Sequence, residues 1–237
     1  MDILSKEDFL NGQLLLIDKP LGWSSFQAVN KIKWAIRKKF GLKKIKVGHA
    51  GTLDPLATGL LLICTGKFTK KIETLQGQEK EYIGAITLGA ITPSYDLETE
   101  IDKVFPIDHV SEEAIHLALN KFTGEIEQRP PVFSALKKDG KRLYEYARDG
   151  KEVKINKRKV VISEFEIRVI DLPILEFRVV CSKGTYIRSL AHDFGKALNS
   201  GGYLSSLRRT KIGDYNVNKA VDPVVFSEKL LGNNDLK

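Results

Sequence analysis

Asp54 is a carboxylate in a strongly basic part of the sequence. No other acidic residue lies between Asp18 and Asp54, whereas nine lysines and arginines fall in that interval. Nearby positive charge favours the ionised form of a carboxylic acid, so we expect Asp54 to be an anion across the physiological range.

The residues around Asp54 indicate a rigid loop that is anchored in a core. Gly48 and Gly51 permit tight backbone turns, and Pro55 fixes its own φ and restricts the aspartate before it. The apolar run Leu60 to Ile63 predicts a buried strand or helix turn behind the loop. A simpler interpretation of Asp-Pro alone is a helix start with Asp54 as the N-cap.

The composition favours a polyanionic partner and disfavours several other classes of protein. The 237 residues carry a formal net charge of +8, the pI is about 9.3, and basic residues are concentrated in 31–46. Cys64 and Cys181 lie in apolar runs and support neither a disulfide framework nor a metal site. The four histidines lack metal-ligand spacing, and no phosphate-binding loop or serine-hydrolase motif occurs. Without a signal peptide or a long apolar run, a cytoplasmic protein is expected.

Hydrophobic periodicity and turn signals predict alternating strands and helices. We expect strands at Leu14–Ile17, Lys80–Leu88, Val160–Ile170 and Ile174–Cys181, the last two paired antiparallel. We expect helices that begin at Ser24 or Ser25 and at Ser111, one over Lys67–Gln76, and one that contains Ile187 to Leu198.

Several stretches of the chain resemble motifs of the TruB-type tRNA pseudouridine synthases. The longest is Gly48 to Leu61, which meets the family's Gly-His-x-Gly-Thr-Leu-Asp-Pro-x-Ala-x-Gly-Leu-Leu signature. The resemblance covers roughly Leu14 to Asn218. The other matching motifs, in family order, are Lys19 to Ser25, Lys80 to Tyr82, Gly184 to Arg188 and Leu207 to Arg209.

Two further segments bear on the resemblance. Gln128 to Val153 alternates basic and aromatic residues and is similar to the family's thumb, an insertion that closes over RNA. Thr92 to Asp96 departs from the family's Thr-Asp-Thr-x-Asp, because Pro93 replaces the first aspartate and only Asp96 keeps its counterpart. A role that depends on the missing aspartate is therefore in question.

The resemblance implies a fold and an activity. The fold is a mixed α+β domain with a largely antiparallel sheet flanked by helices, a central catalytic cleft and an RNA-binding thumb insertion at about 128–153. The activity is the isomerisation of uridine to pseudouridine at position 55 in the TΨC arm of tRNA, by base flipping and covalent catalysis from an aspartate. Because the reaction has no net redox change and no group donor, no cofactor is expected, and no metal.

The resemblance also implies a role for each matched residue. Asp54 is the nucleophile, and Arg188 forms an ion pair that keeps it ionised. Tyr82 stacks on the target base. Attack on the sugar, attack on the base and a glycal route are all left open. Four residues are expected to contact the substrate or line its site: His49, which fills the gap left in the RNA, Tyr186, Leu207 and Lys19.

We expect one catalytic domain over residues 1–237. Only nineteen residues follow Asn218, too few for the C-terminal PUA-type RNA-binding domain of longer relatives. The expected partner is the T-arm stem-loop of tRNA, bound by a monomer without guide RNA and without a membrane.

Other interpretations stay open at this point. Arg188 could pair with Asp193 on its own helix, Tyr82 could be a half-buried strand tyrosine, and His49 could only stabilise its loop. A catalytically inactive RNA-binding protein would share the basic surface and the aromatic residues. A pseudouridine synthase that acts on another RNA, or that works within a guide-RNA particle, would share every catalytic residue. A pseudouridine assay on a bare T-arm stem-loop separates these classes.

Overall fold

The structure is a computed structural model that describes residues 4–134, 136–138, 140–149, 153 and 155–232. Among these residues, no helix has the length and apolar character needed to cross a lipid bilayer. Short 3-10 helices cover Gly66–Lys71 and Val217–Lys219. The described residues form seven α-helices: α1 Lys6–Asn11, α2 Ser25–Phe40, α3 Ile72–Gly77, α4 Glu112–Leu119, α5 Leu143–Arg148, α6 Ile187–Ala197 and α7 Pro223–Leu231.

The strands pair mostly antiparallel, which together with the helices gives the α+β class that the resemblance implies. Within the described residues they are β1 Leu14–Lys19, β2 Val47–His49, β3 Ala57–Thr65, β4 Lys80–Leu88, β5 Ala90–Ile91, β6 Lys103–Val104, β7 Gly124–Gln128, β8 Lys137–Lys138, β9 Lys141–Arg142, β10 Arg158–Asp171, β11 Ile174–Cys181, β12 Gly202–Ile212 and β13 Tyr215–Asn216.

The chain divides into two compact units. The first contains Met1–Glu81 and Arg208–Lys237, and the second contains Tyr82–Leu207. The chain passes from one unit to the other inside two strands, after Glu81 in β4 and after Leu207 in β12. The single catalytic domain expected over residues 1–237 stays a prediction.

In the first unit, strand β3 is the buried centre of the sheet. It pairs antiparallel with β1, from Leu14 opposite Cys64 to Lys19 opposite Gly59, and with β2, from Val47 opposite Thr65 to His49 opposite Ile63. Its residues from Leu60 to Cys64 have no exposed surface. The strand interpretation of Leu60 to Ile63 is therefore confirmed, and α2 and α7 cover this core through Ile32 and Phe226.

Helix α2 begins where the sequence predicts. The Ser24 hydroxyl accepts a hydrogen bond from the Gln27 N–H at 3.2 Å, and the Gln27 side chain accepts one from the Ser24 N–H at 2.7 Å. This capping box fixes the first turn. Val29, Ile32 and Ile36 then face the core, as their spacing predicts.

In the second unit, β4, β11, β10 and β7 lie side by side in that order. β10 and β11 form a long antiparallel hairpin from Ile162 opposite Cys181 to Asp171 opposite Ile174, so the predicted pairing is confirmed. The ring of Phe194 in α6 packs against Phe122 and Phe165, at centroid distances of 5.6 and 5.4 Å. These contacts fix α6 on the sheet.

The segment between β7 and β10 leaves and rejoins the sheet at neighbouring points, because Gln128 lies opposite Arg158. Its described part contains the β8–β9 hairpin and α5. Of the thumb expected at about 128–153, Ala135, Asp139 and residues 150–152 lie outside the described residues. The role of this insertion as an RNA-binding thumb stays a prediction.

One local expectation is wrong, and one alternative interpretation is excluded. The single helix expected over Lys67–Gln76 is a 3-10 helix, Gly66–Lys71, followed by α3, Ile72–Gly77. The Thr69 hydroxyl donates to the Gly66 carbonyl at 2.8 Å and offers this backbone a tighter local bond than an α-helical turn. Asp54 is not a helix N-cap, because a turn and then strand β3 follow it.

Candidate active site

Asp54 lies in the loop that joins the antiparallel strands β2 and β3. The Ala50 N–H donates to the Leu62 carbonyl at 2.9 Å, and the Ala57 N–H donates to the Asp54 carbonyl at 3.1 Å. These bonds close the loop over residues 50–56. Asp54 itself is half-buried, so part of its side chain reaches the surface.

Both neighbours of Asp54 are fixed through their backbones. The buried hydroxyl of Ser25, the first residue of α2, accepts from the Leu53 N–H at 2.8 Å and donates to the Leu53 carbonyl at 3.0 Å. The Pro55 carbonyl accepts from the Gly22 N–H at 2.9 Å. The β1–α2 turn therefore positions the aspartate by holding the residues on either side of it.

Lys19, at the end of β1, lies against the same loop with no exposed surface. Its Nζ donates to the carbonyls of Pro20 at 2.9 Å and Trp23 at 2.6 Å, and lies 3.5 Å from that of Pro55. Burial lowers the pKa of Lys19 to about 8, and the charge of Asp54 opposes this shift. The substrate contact expected for Lys19 stays a prediction that its burial disfavours; its bonds indicate a side chain that holds the loop.

Lys19 predicts an alkaline limb in the pH profile of activity. Loss of its proton above a pH of about 8 removes a positive charge beside Asp54 and one N–H donor from the backbone carbonyls. We expect kcat/KM to fall above that pH, and we expect Lys19→Met to be weakly active and to lack the limb. Initial rates from pH 6 to 10 measure this. An identical limb in Lys19→Met would contradict the assignment.

Stability should change in the opposite direction. The pKa of Lys19 is lower in the folded chain than its ordinary 10.5, so between about 8 and 10.5 the unfolded chain binds more protons. The free energy of unfolding therefore rises with pH in that window. Urea unfolding at several pH values should show this rise in the wild type, and a smaller one in Lys19→Met.

Arg209, on β12, holds the other side of the loop. Its side chain is 1 % exposed. Its Nε donates to the Leu60 carbonyl at 2.7 Å, its Nη2 to that of Gly51 at 3.1 Å and its Nη1 to that of Thr52 at 3.4 Å. A buried guanidinium satisfied by three carbonyls fixes the loop backbone two residues before Asp54.

The approach of β3 to β12 requires a glycine. Gly59 has φ +104°, and a Cβ there would lie 2.3 Å from the Arg209 carbonyl oxygen. Next to this contact, Arg208 binds Asp18 with two hydrogen bonds, Nη1 to Oδ1 at 3.0 Å and Nη2 to Oδ2 at 2.7 Å. β12 is thus tied to β1 and β3 beside the loop.

We expect Arg209→Met to destabilise the protein by about 3 kcal/mol, because it leaves buried carbonyls unpaired. It should also lower kcat/KM, because Gly51 and Thr52 lose their support. Urea unfolding and initial rates measure the two effects. The matched control is Lys211→Met on the same strand, an exposed cation 3.3 Å from Glu81, whose loss should change stability by less than about 0.5 kcal/mol. Equal losses in both variants would contradict this role.

His49 lies at the end of β2 and is half-buried. Burial, and then the positive charge of Arg209, lower the pKa of His49. The imidazole is therefore neutral at physiological pH. A neutral ring suits stacking beside bases better than contact with a phosphate.

In the second unit, Arg188 of α6 is 4 % exposed. Its Nη1 donates to the Ser94 carbonyl at 3.1 Å, and its Nε lies 3.6 Å from Oδ2 of Asp96, which is also buried. The carboxylate placed beside Arg188 within this unit therefore comes from the loop after β5. Asp193, on the same helix, was the simple alternative.

The turn that carries Ser94 and Asp96 is held by its own hydroxyls. The Thr92 hydroxyl donates to the Asp96 carbonyl at 2.7 Å, and the Ser94 hydroxyl does so at 3.1 Å. Tyr95 has φ 65°, in the left-handed region, and its ring stacks on His192 of α6 at 3.9 Å. Pro93 is exposed and takes part in none of these bonds. The turn therefore holds the Ser94 carbonyl and Asp96 in place beside Arg188 without needing the aspartate that Pro93 replaces.

Tyr186 precedes α6 and is fixed through its backbone. Its N–H donates to Oε1 of Gln128 at 2.7 Å, and its carbonyl accepts from Nε2 of Gln128 at 2.9 Å. The guanidinium of Arg158 lies 4.6 Å from the centre of the Tyr186 ring and donates to the Gly184 carbonyl. The start of the predicted thumb therefore positions the tyrosine of the Gly-Thr-Tyr-Ile-Arg motif.

Tyr82 and Leu207 are the first and last residues of the second unit. Tyr82, in β4, is 8 % exposed, and Leu207, in β12, is half-buried. Both residues make interactions within the folded chain. Their contacts with a target base stay predictions.

In the first unit these residues offer one positioned carboxylate, Asp54, on a loop that two buried cations, Lys19 and Arg209, hold in place. In the part of the chain that the structure describes, no group of three or more histidine, cysteine, aspartate or glutamate side chains is placed to hold a metal ion.

Comparison with known proteins identifies the family. The model of the TruB family pseudouridylate synthase (N terminal domain) matches residues 37–187. A protein of Flavobacterium johnsoniae named tRNA pseudouridine synthase B is 66% identical over 228 residues, which are 96% of this chain and 100% of that protein. The chain belongs to the TruB family of pseudouridylate synthases.

Further relatives in the TruB family are similar over most of their length. The tRNA pseudouridine synthase B of Phocaeicola vulgatus is 54% identical over 223 residues, 94% of this chain and 95% of that protein. The protein of the same name from Chlorobium chlorochromatii is 47% identical over 211 residues, 89% and 82% of the two chains.

Solved structures support the TruB fold. A chain in the crystal structure of a Cbf5-Nop10-Gar1 complex has a TM-score of 0.67 and 30% identity, over 92% of this chain and 54% of that chain. A chain of an H/ACA RNP bound to a substrate RNA containing 2'-deoxyuridine has a TM-score of 0.61 and 29% identity, over 88% and 49% of the two chains. This chain thus spans about half the length of those solved chains.

Sequence reasoning found the TruB loop but missed its supports. Ser25 was considered only as a possible start of a helix, and neither Arg209, which holds the loop, nor Gln128, which holds Tyr186, was given a role. Ser25 and Arg209 nevertheless stand inside matched TruB motifs. Asp96 was noted only for keeping its family counterpart. The hydrogen-bond partners of these residues lie far away along the chain. The one signal available in the sequence was that a polar residue stands inside or next to a matched motif.

Proposed function

We propose that this chain isomerises uridine to pseudouridine at position 55 in the TΨC arm of tRNA. As a member of the TruB family it is a pseudouridine synthase, an isomerase. The observation that carries the proposal is the loop of Asp54. A part-exposed carboxylate lies between residues whose backbones are fixed by Ser25, Gly22 and Arg209.

The reaction requires a nucleophile that is positioned before the substrate arrives. The C1′ to N1 glycosidic bond of the uridine breaks, and the uracil rejoins C1′ through C5. C5 loses its proton and N1 gains one, so the product is an isomer of the substrate. We propose that Asp54 is the covalent catalyst of this exchange. The backbone bonds on both sides of Asp54 support the role, because a fixed loop keeps the carboxylate in one place during the reaction.

We propose that Arg188 forms an ion pair with Asp54 and keeps it ionised. The support is that the Arg188 guanidinium is almost fully buried and held by the Ser94 carbonyl and Asp96. A guanidinium presents five N–H donors in a planar fork, so one fixed guanidinium can serve more than one carboxylate. Asp96 then acts as a positioning residue through Arg188.

The flipped nucleotide needs a pocket that replaces its lost stacking, and flipping requires a few kcal/mol. We propose that Tyr82 stacks on the target base, that Leu207 gives an apolar contact and that Tyr186 lines the site. We propose that His49 fills the gap left in the RNA. Its neutral ring, at the end of the strand that leads into the loop of Asp54, supports this role.

The proposed substrate is the T-arm stem-loop of a tRNA, bound by a monomer without guide RNA in the cytoplasm. The support is that the relatives named tRNA pseudouridine synthase B match this chain over nearly their whole length. The H/ACA complexes contain chains about twice as long.

The test is to incubate the purified chain with a T-arm stem-loop transcript and to map pseudouridine by reverse transcription after carbodiimide treatment. We expect modification at position 55, approaching one per transcript, with no added RNA or protein. A transcript with cytidine at that position is the control. Modification elsewhere, or modification that requires a guide RNA, would contradict the proposal.

A further inference from the structure

We propose that the exposed face of helix α2 binds the sugar-phosphate backbone of the substrate RNA outside the modified nucleotide. We call this face the Trp34 face, and it consists of Phe26, Lys31, Trp34, Arg37 and Lys38. The proposal deepens the proposed function and rests on it for the identity of the RNA.

The Trp34 face presents aromatic rings to solvent between cations. Trp34 is 47% exposed and Phe26 is 69% exposed. The ammonium groups of Lys31 and Lys38 lie 5.2 and 4.9 Å from the centre of the Trp34 ring. The core side of α2 is already filled by Val29, Ile32 and Ile36, so packing does not explain an aromatic residue here. Lysines on an aromatic ring form a surface on which bases or riboses can stack while phosphates are neutralised.

The charge of this region is of one sign. From Lys19 to Leu53 the sequence has nine basic residues and no acidic one. Outside this stretch some lysines do have acidic partners, such as Lys159 with Glu125 at 2.8 Å and Lys211 with Glu81 at 3.3 Å. Uncompensated positive charge of this density favours a polyanion.

The Trp34 face starts at the catalytic loop. Ser25, whose hydroxyl holds Leu53, is the first residue of α2. Trp34 follows nine residues later, which places it about 14 Å along the helix axis from that contact. This distance is longer than the spacing between neighbouring phosphates of an RNA strand. When the target base reaches Asp54, phosphates of nucleotides further along the strand can therefore lie on the Trp34 face.

The chemistry points to RNA as the occupant. An acidic protein would also be attracted by the lysines. However, stacking aromatics beside basic groups next to a nucleotide-modifying loop match the surfaces that bind flexible nucleic acid strands. The loss of RNA affinity in variants of this face is therefore the decisive measurement.

The experiment measures the Kd and KM of an unmodified tRNA transcript for three variants at several salt concentrations. Trp34→Ala should raise Kd by about 5- to 30-fold, and Trp34→Phe should restore most of the affinity. Lys31→Gln combined with Lys38→Gln should make the plot of log Kobs against log salt less steep by roughly 1.5 to 2. In turnover assays we expect these variants to raise KM and to leave kcat nearly unchanged.

The control removes the same charge elsewhere in the first unit, by Lys6→Gln combined with Lys219→Gln, both exposed lysines. The chain has two tryptophans, so a change in emission on RNA titration that is lost in Trp34→Phe is an independent readout. Equal effects of the two lysine pairs, or unchanged binding in Trp34→Ala, would overturn the proposal. An acidic protein as the true partner would give the second of these outcomes, unchanged RNA binding in Trp34→Ala.

The pseudouridine yield at position 55 is measured in the same reactions. A wild type that binds through Trp34 but makes no pseudouridine would overturn the proposed function and keep the Trp34 face. Normal modification with unaffected binding would overturn the Trp34 face alone. A T-arm stem-loop assayed beside full-length tRNA tells which part of the RNA makes the contact, and a loss with either one supports the proposal.

Discussion

Asp54→Asn should abolish pseudouridine formation, with a loss of at least about 10³-fold in kcat/KM. The amide has nearly the shape of the carboxylate but is no nucleophile. Because the loop is held through the backbones of Leu53 and Pro55, its position should not change. The Kd of unmodified tRNA should stay within about threefold of the wild type, since the loss concerns the chemical step. Single-turnover rates and filter binding measure the two quantities.

Asp214→Asn is the matched control for Asp54→Asn, because Asp214 is exposed in the turn between β12 and β13. It should have wild-type activity. Asp54→Asn with turnover near wild type would exclude Asp54 as the catalyst. A large loss of tRNA affinity in Asp54→Asn would instead assign Asp54 to binding.

Arg188→Lys should lower kcat/KM by about 10²-fold or more, because a lysine cannot reproduce the forked contacts of a guanidinium. The free energy of unfolding should fall by about 2 kcal/mol, because the Ser94 carbonyl and Asp96 lose a buried partner. Initial rates at a temperature where both proteins are fully folded separate these two effects.

Arg168→Lys is the control for the same substitution at the surface, where the Arg168 Nε lies 3.7 Å from Glu166 in the exposed part of β10. It should be neutral in activity and stability. If Arg188→Lys loses stability but keeps its rate when folded, then Arg188 only joins α6 to the turn of Asp96, and the proposed pairing with Asp54 is wrong.

Features that depend on neighbouring residues could be predicted from the sequence. The strand Ile174–Cys181 has the predicted bounds, because its alternating apolar residues fix both its length and its buried face. The start of α2 directly after its N-cap Ser24 follows from a capping box that lies within three residues. The loop of Asp54 follows from its two glycines and Pro55.

Features that depend on partners far away along the chain could not be predicted from the sequence. Residues such as Lys19 and Arg209 are expected at the surface because burying a charge is unfavourable unless it is bonded. Both are nevertheless buried, because the backbone carbonyls of Trp23, Gly51 and Leu60 accept hydrogen bonds from their charged groups. No local pattern reveals which carbonyls will be available. The contact of Arg188 with Asp96 is hidden for the same reason.

The opposition of Gln128 and Arg158 across β7 and β10 makes the register of these two strands independent of the length of the segment between them. Two facing strand ends can be joined by a turn of about two residues, such as Asn-Gly, without shifting the register of either strand. Insertions or exchanges within residues 129–157 therefore need not shift the sheet, provided that Arg129 is kept, because its carbonyl accepts from the Ser189 hydroxyl of α6 at 2.8 Å. Protein engineers can use the same junction as a graft site.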